Sequence, residues 1–141
     1  MPKLKVYIET TIVSYLTAWP SRDVVILGQQ QMTRDWWDKQ REKFDLYTSE
    51  LVIMEASAGD EQAARGRLEV LATPPVLKLS PEARELAKRL LLEKAFPVKA
   101  ESDAYHFAIA ATNGLEYLLT WNCRHLANAT IDFFGNSKMT V

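Results

Sequence analysis

Residues 5–11 read Lys-Val-Tyr-Ile-Glu-Thr-Thr, and this stretch sets the expectation for the fold. The run Lys5–Ile8 favours β-structure and ends abruptly at Glu9. Thr10 and Thr11 then offer a helix N-cap ahead of an apolar segment. A short strand that passes directly into a helix is the beginning of a βα unit, and strand and helix patterns alternate in the same way along the rest of the chain.

This alternation predicts an α/β protein. Strands are predicted at Lys5–Ile8, Leu46–Thr48, Val76–Leu79, Tyr117–Thr120 and, as a fifth candidate, Thr130–Phe134. Helices are predicted at Ile12–Leu16, Asp23–Phe44, Glu50–Ser57, Glu61–Leu71, Pro81–Lys94 and Asp103–Asn113, with Ser49, Ser80 and Ser102 as caps. We therefore expect a three-layer α/β/α domain around a central, mostly parallel sheet of four or five short strands.

The length and composition fit one such domain. The chain has 141 residues, of which 48% are hydrophobic and 25% charged, as in ordinary globular proteins. We expect a single domain over residues 1–141. The formal net charge of −1 excludes a strongly basic, histone-like nucleic-acid binder, although a local basic groove stays open.

Cysteine content and hydropathy restrict the location and the type of site. Cys123 is the only cysteine, so the chain has no internal disulfide, and a reducing compartment is favoured. With His106 and His125 it supplies too few ligands for a structural zinc site. No apolar run approaches the roughly 20 residues that cross a bilayer, and the apolar part of the N-terminus is too short for a signal peptide. We expect a cytoplasmic protein without a membrane partner.

Polar residues follow two of the predicted strands. Glu9 comes directly after the first strand, and Asn122 follows the Tyr117–Thr120 strand by two residues. Ligands of open parallel sheets bind beyond the C-terminal ends of the strands, and these two side chains lie at that edge.

Two further acids lie on helix faces that point inward. Glu55 shares a helix face with Leu51 and Val52, and Asp103 is in register with Phe107. A carboxylate on an apolar face is costly unless it has a partner. Both helices begin near the C-terminal edge of the sheet, so these acids can converge with Glu9 and Asn122.

Three carboxylates and an amide in one place repel one another unless a cation neutralises them. Oxygen ligands suit Mg²⁺ or Mn²⁺, and such an ion is suited to phosphodiester hydrolysis. Each residue also has an ordinary structural alternative. Asp103 favours a helix start through the helix dipole, Glu9 and Asn122 suit turns, and Glu55 could pair with a buried Lys or Arg. Their joint placement is what indicates a metal site.

Four motifs resemble those of PIN-domain proteins. They are Lys5-Val-Tyr-Ile-Glu-Thr-Thr, Ser49-Glu-Leu-Val-Ile-Met-Glu, Ser102-Asp-Ala-Tyr-His-Phe-Ala-Ile-Ala-Ala and Leu118-Leu-Thr-Trp-Asn. Their order and spacing agree with that family from Lys5 to about Asn128. The subgroup that they resemble most is the VapC-like toxins of type II toxin–antitoxin pairs.

The resemblance implies an endoribonuclease that cleaves single-stranded RNA with Mg²⁺ or Mn²⁺. It also implies a homodimer and a cognate antitoxin that covers the acidic groove and the N-terminal helices. Transferred to this sequence, the catalytic and metal-binding residues are Glu9, Glu55 and Asp103, with Asn122 in the fourth position. Thr10 and Thr120 are then supporting hydroxyls near the metal or its water.

The sequence departs from the family pattern at three places. Glu9 stands where the family usually has Asp, which adds about 1.5 Å of reach. Asn122 replaces a fourth acid, so one negative charge is missing. The chain beyond Asn128 is shorter than the resemblance implies, so the domain could be shortened at its C-terminus. The alternative function is therefore a degenerate PIN-like domain that binds RNA or a partner protein without cleaving it.

Several residues could contact RNA or a partner protein. Arg124 could bind a phosphate or could be an ordinary surface residue, and Trp121 and Tyr15 could stack on bases. Trp19, Trp36 and Trp37 suit either a protein interface or the core.

Overall fold

The computed structural model describes residues 2–122 and contains a four-stranded sheet. The strands are β1 (Leu4–Ile8), β2 (Phe44–Ser49), β3 (Val76–Leu77) and β4 (Tyr117–Leu119). Their order is β3-β2-β1-β4, and every pair is parallel. The predicted parallel sheet is confirmed, with four strands in the described part of the chain.

Helices cover both faces of the sheet and complete the predicted three layers. The described residues form α1 (Thr10–Thr17), α2 (Val24–Gln40), α3 (Glu50–Ala56), α4 (Glu61–Val70), α5 (Pro81–Leu92) and α6 (Glu101–Thr112). Short 3₁₀ turns at Arg41–Lys43 and Val98–Ala100 precede β2 and α6. Helix α1 packs against α2, α3 and α4, and α5 packs against α6.

The core forms around β1 and α6. Strand β1 lies between β2 and β4, and its last three residues, Val6, Tyr7 and Ile8, are buried. Helix α6 is buried on most of its surface, including Phe107, because its apolar residues run around the whole helix. The strand that leads into Glu9 and the helix that carries Asp103 are therefore among the most enclosed parts of the fold.

Two predicted serine caps are confirmed. Ser49 Oγ accepts a hydrogen bond from Val52 N at 3.2 Å and begins α3, and Ser80 Oγ accepts one from Ala83 N at 3.1 Å and begins α5. Pro81 occupies the first position of α5, where the missing N–H has no cost.

Two predicted caps are wrong because the hydroxyls involved bind carboxylates elsewhere. Helix α1 is capped by Glu9, whose carboxylate accepts from Thr11 N, and not by Thr10 or Thr11. Helix α6 begins at Glu101 after Ala100, without a side-chain cap, and the Ser102 hydroxyl donates to Glu55 instead.

The second predicted helix differs from α2 in both extent and facing. It ends at Gln40, and the chain becomes extended at Phe44. The helical pattern places Val24 and Leu27 roughly on one side with Gln31, Trp36 and Trp37, but Val24 and Leu27 are exposed. The buried α2 residues are polar instead, Gln30 and Thr33, and both have hydrogen-bond partners.

The tryptophans divide between the core and the surface. Trp36 packs against the core and stacks on Phe44, with ring centroids 5.7 Å apart. Arg41 lies over the Trp37 ring, and Trp19 is 92% exposed.

Strand β3 is also shorter than predicted, ending at Leu77 instead of Leu79.

Several predictions fall outside the described residues. They concern the fifth strand at Thr130–Phe134, the surroundings of Cys123, Arg124 and His125, and the shortened C-terminal end. The extent of a single domain over residues 1–141 likewise stays a prediction. No helix within residues 2–122 is long and apolar enough to span a membrane.

Candidate metal centre

Glu9 lies at the point where β1 passes into α1. Its N–H donates to Leu119 O at 3.1 Å, so the C-terminal ends of β1 and β4 are joined there. Its side chain is buried, and its Oε1 accepts hydrogen bonds from Thr11 N (3.1 Å), Thr11 Oγ1 (2.5 Å) and Thr120 Oγ1 (2.6 Å). The longer side chain that departs from the family pattern thus curls back onto the first turn of its own helix.

Glu55 approaches the same edge from α3. Its Oε1 accepts hydrogen bonds from Thr10 Oγ1 at 2.5 Å and from His106 Nε2 at 2.8 Å. Its Oε2 accepts a hydrogen bond from the Ser102 hydroxyl. The predicted supporting hydroxyls of Thr10 and Thr120 are thus both bound to candidate acids.

Asp103 and Asn122 lie together beside these acids. Asp103 is buried at the start of α6, and Asn122 is exposed after β4. Asn122 Nδ2 donates to Asp103 Oδ1 at 3.4 Å, while Asn122 N donates to Thr120 Oγ1 at 2.9 Å. Through the Thr120 hydroxyl, the backbone N–H of Asn122 is linked to the Glu9 carboxylate.

One cluster of possible ligands stands out in the described chain. Single ligand atoms of Glu9, Glu55 and His106 all lie within 4.8 Å of one another. Asp103 is not part of this cluster, although it lies one helical turn before His106 on α6. The structure thus brings Glu9, Glu55 and His106 together, while Asp103 contacts Asn122, which is linked to Glu9 through Thr120.

The donors around Glu55 determine its ionisation. Burial raises the pKa of the Glu55 carboxyl, but the hydrogen bond and the electrostatic attraction of His106 outweigh burial, with further help from the hydroxyls of Ser102 and Thr10. The net result is a pKa lowered from 4.5 to about 2. Glu55 is therefore an ionised, acceptor-only carboxylate at neutral pH. The Lys or Arg partner considered from the sequence is replaced by His106.

Sequence reasoning missed the buried groups behind His106. Its Nδ1 lies 2.6 Å from the Tyr7 hydroxyl, which lies 2.8 Å from Ser49 Oγ. Burial raises the pKa of the Tyr7 phenol far above its usual range, so the group stays neutral. The one signal in the sequence is spacing: Tyr7 precedes Glu9 by two residues, and His106 follows Asp103 by three.

Trp121 anchors the chain between Thr120 and Asn122. Its backbone N–H donates to Thr11 Oγ1 at 2.9 Å, and its indole N–H donates to Thr33 Oγ1 at 2.8 Å. Its ring stacks on Tyr15, with centroids 5.9 Å apart. The two candidate stacking residues are thus neighbours at the edge of the sheet that carries the acids.

The fold, though not the sequence, has known relatives. No family model and no curated protein matches the chain. VapC20 of Mycobacterium tuberculosis, a toxin that cleaves the sarcin–ricin loop, matches with a TM-score of 0.67 at 17% identity, over 86% of this chain and 93% of VapC20. VapBC2 of Rickettsia felis, bound to a DNA fragment from its promoter, matches with a TM-score of 0.64 at 13% identity, over 88% and 92%. FitAcB of Neisseria gonorrhoeae matches with a TM-score of 0.61 at 15% identity, over 88% and 92%.

The chain has the PIN-domain fold of the VapC toxins. In a parallel sheet of this PIN-like fold, the C-terminal edge is the expected ligand position, and Glu9, Glu55, Thr120 and Asn122 lie there. At 13–17% identity the likeness extends to the fold, and the chemistry has to follow from the residues at that edge.

Proposed function

We propose that this protein is a metal-dependent endoribonuclease that cleaves phosphodiesters of single-stranded RNA, acting as the toxin of a toxin–antitoxin pair. The observation that carries the proposal is the meeting of Glu9 and Glu55 at the C-terminal edge of the PIN-like sheet, beside Asp103 and Asn122. Among residues 2–122, no Lys or Arg forms an ion pair with Glu9 or Glu55. Two carboxylates held this close without a Lys or Arg partner fit a divalent cation.

The donor set fits Mg²⁺ or Mn²⁺. Glu9, Glu55 and Asp103 would hold the ion, and Asn122 would contribute from the fourth position, because carboxylate and amide oxygens suit hard cations. Within the described chain, the side-chain hydrogen bonds of Glu9 all end on Oε1, which leaves Oε2 for a ligand. When bound, such an ion lowers the pKa of water and offsets the charge of a phosphate.

Side chains of this protein hold the proposed metal-binding carboxylates in place for this reaction. Thr10 and Thr120 each donate to one acid and limit the rotamers of its carboxylate. Glu9 is the N-cap of α1, so the N-terminal dipole of this helix also favours an anion there. We also propose that Arg124 contacts a phosphate of the RNA, as expected from the sequence.

The test is cleavage of an end-labelled single-stranded RNA mixture with Mn²⁺, with Mg²⁺ or with a chelator. We expect cleavage with the metal ions alone, and its loss in Asp103→Asn, which keeps the shape of a buried side chain. Glu101→Gln is the matched control, because it removes an exposed acid from the same turn of α6. Equal cleavage by Asp103→Asn and Glu101→Gln would remove Asp103 from the site.

The second candidate is a degenerate PIN-like domain that binds RNA or a partner without cleaving. The observation that favours it is Asn122, which turns its amide toward Asp103 and adds no charge. Cation binding together with RNA binding, but without cleavage by any variant, would select this function.

The proposed partners are a cognate antitoxin and a second copy of the chain, and the proposed location is the cytoplasm, where RNA substrates occur. Two of the solved neighbours are complexes named VapBC2 and FitAcB. Val24 and Val25 at the start of α2 are 81% and 69% exposed and provide apolar surface. Light scattering after size exclusion gives the mass of the isolated chain. A dimer supports the homodimer proposal, and a monomer at micromolar concentration contradicts it.

A further inference from the structure

His106 is enclosed in the fold and faces the candidate acids. It is 1% exposed and lies on α6, and its two ring nitrogens have different partners. Nε2 lies 2.8 Å from Glu55 Oε1, and Nδ1 lies 2.6 Å from the Tyr7 hydroxyl. The imidazole thus lies between a carboxylate on α3 and a phenol on β1.

The chemistry of the partners determines which nitrogen carries a proton. Nε2 lies at hydrogen-bond distance from a carboxylate oxygen, which accepts, so Nε2 is the N–H donor of this pair. Nδ1 is held by the Tyr7 hydroxyl, which also contacts Ser49 Oγ at 2.8 Å. Ser49 in turn accepts from Val52 N, so the chain of hydrogen bonds ends on the backbone of α3.

This series of hydrogen bonds connects the elements that carry Glu9 and Glu55. Tyr7 is two residues before Glu9 on β1, and Ser49 begins the helix that carries Glu55. Tyr7 and Ser49 are both fully buried, so water does not compete for their hydrogen bonds. A rotation of the imidazole would break a hydrogen bond at each of its ends.

We propose that His106 is a positioning residue that fixes the Glu55 carboxylate for the cation through its Nε2–H. This inference rests on the proposed metal-dependent function. A Glu side chain loses substantial rotamer freedom when it is ordered, and His106 removes that freedom before the cation binds. Because Nε2 carries a proton directed at Glu55, it has no lone pair for a metal in this arrangement.

The role predicts a specific pattern of Mn²⁺ affinity, measured by calorimetry. Loss of a partner that orients a ligand weakens metal binding by about 10–100-fold, and we expect this for His106→Leu. His106→Gln keeps an N–H donor, and we expect it to restore most of the affinity. Tyr7→Phe keeps the buried ring but frees Nδ1, and we expect an intermediate loss.

Two controls separate this role from packing and from direct coordination. Ile109→Val trims a buried side chain on the same helix and should leave Mn²⁺ affinity unchanged. Pulsed electron paramagnetic resonance of Mn²⁺ in the wild-type protein should show no coupling to a directly bound nitrogen. If His106→Leu does not fold, Tyr7→Phe and the resonance spectrum still decide the question.

The outcomes are distinguishable. Wild-type affinity in the folded His106→Leu and Tyr7→Phe variants overturns the positioning role and leaves the metal site standing. A strong nitrogen coupling overturns it too, because His106 would then be a ligand together with Glu9 and Glu55. Absence of Mn²⁺ binding by the wild-type chain overturns the proposed function first, and the inference with it.

Discussion

Glu9 combines a structural and a chemical role in one carboxylate. Oε1 accepts three hydrogen bonds, from Thr11 twice and from Thr120 once, and this atom caps α1. Oε2 is the oxygen that the proposed cation would use. The two roles can be separated because capping needs an acceptor, whereas cation binding needs the negative charge.

Glu9→Gln tests that separation. An amide oxygen still accepts from Thr11 and Thr120, so we expect the free energy of unfolding to change by less than about 1 kcal/mol. The lost charge should raise the Mn²⁺ dissociation constant by about tenfold or more. Calorimetry and urea unfolding on the same sample measure both. The control Glu50→Gln removes an exposed charge next to the same edge, on α3. Metal affinity equal to wild type in Glu9→Gln would contradict the assignment.

Glu55 should make stability depend on pH in a defined window. Its pKa is lowered from 4.5 to about 2 in the folded chain, so the ionised form stabilises the fold above pH 4.5. That contribution is lost as the pH falls from 4.5 toward 2. We expect the stability gap between wild type and Glu55→Gln to be wide at pH 6 and to narrow below pH 4.5.

The measurement is the urea midpoint of both proteins, with a chelator present, at pH 6, 4.5 and 3. Glu50→Gln, exposed on the same helix, controls for the loss of one charge. A gap that is constant across this range would show that the hydroxyls and His106 do not favour the ionised carboxylate.

At the level of elements, local sequence rules found the strands and helices but not every helix start. Ser49 and Ser80 cap their helices through contacts within three residues, and Ser49 Oγ does so while it also contacts the Tyr7 hydroxyl. Ser102 does not cap α6, because Glu55 on another helix takes its hydroxyl. A contact across 47 residues is invisible to a rule that considers four neighbours.

The same reason explains why the apolar pattern of α2 does not identify the residues that this helix buries. Gln30 and Thr33 are buried because Trp19, Ser21 and Trp121 supply their hydrogen-bond partners, which periodicity cannot show. For the site, the order of strands and acids brought Glu9, Glu55, Asp103 and Asn122 to one edge. No motif in the sequence indicated that His106 would bridge Tyr7 on β1 and Glu55 on α3.

Strand β2 contains a buried group whose removal should stabilise the fold. Thr48 is fully buried, and its Oγ1 has no hydrogen-bond partner within the described residues. An unsatisfied buried hydroxyl costs about 1–3 kcal/mol, and valine has the same shape and suits a strand. We expect Thr48→Val to raise the free energy of unfolding by about 1 kcal/mol.

Thermal and urea unfolding of Thr48→Val give this change directly. Thr120→Val is the matched control, because its hydroxyl donates to Glu9, and we expect that variant to be destabilised. A loss of stability in Thr48→Val comparable to that in Thr120→Val would mean that the Thr48 hydroxyl has a partner.

For the whole molecule, the strand order decides where the chemistry lies. The order β3-β2-β1-β4 puts β1 beside β4, so residues 9 and 120–122 meet although they are more than 110 positions apart. The net charge is −1, yet two acids are concentrated at one edge of the sheet. A cation that binds there binds the folded chain alone, because the unfolded chain does not hold these residues together.

The most direct test is the melting temperature of the native chain and of Asp103→Asn in Mn²⁺ and in a chelator. A ligand at about 100 times its dissociation constant stabilises by about 2.7 kcal/mol, so we expect Mn²⁺ to raise the native melting temperature by about 5–10 °C. Asp103→Asn should lose most of that rise, and Glu101→Gln should keep it. No rise in the native chain, or an equal rise in Asp103→Asn, would contradict an acidic cation centre in this PIN-like fold.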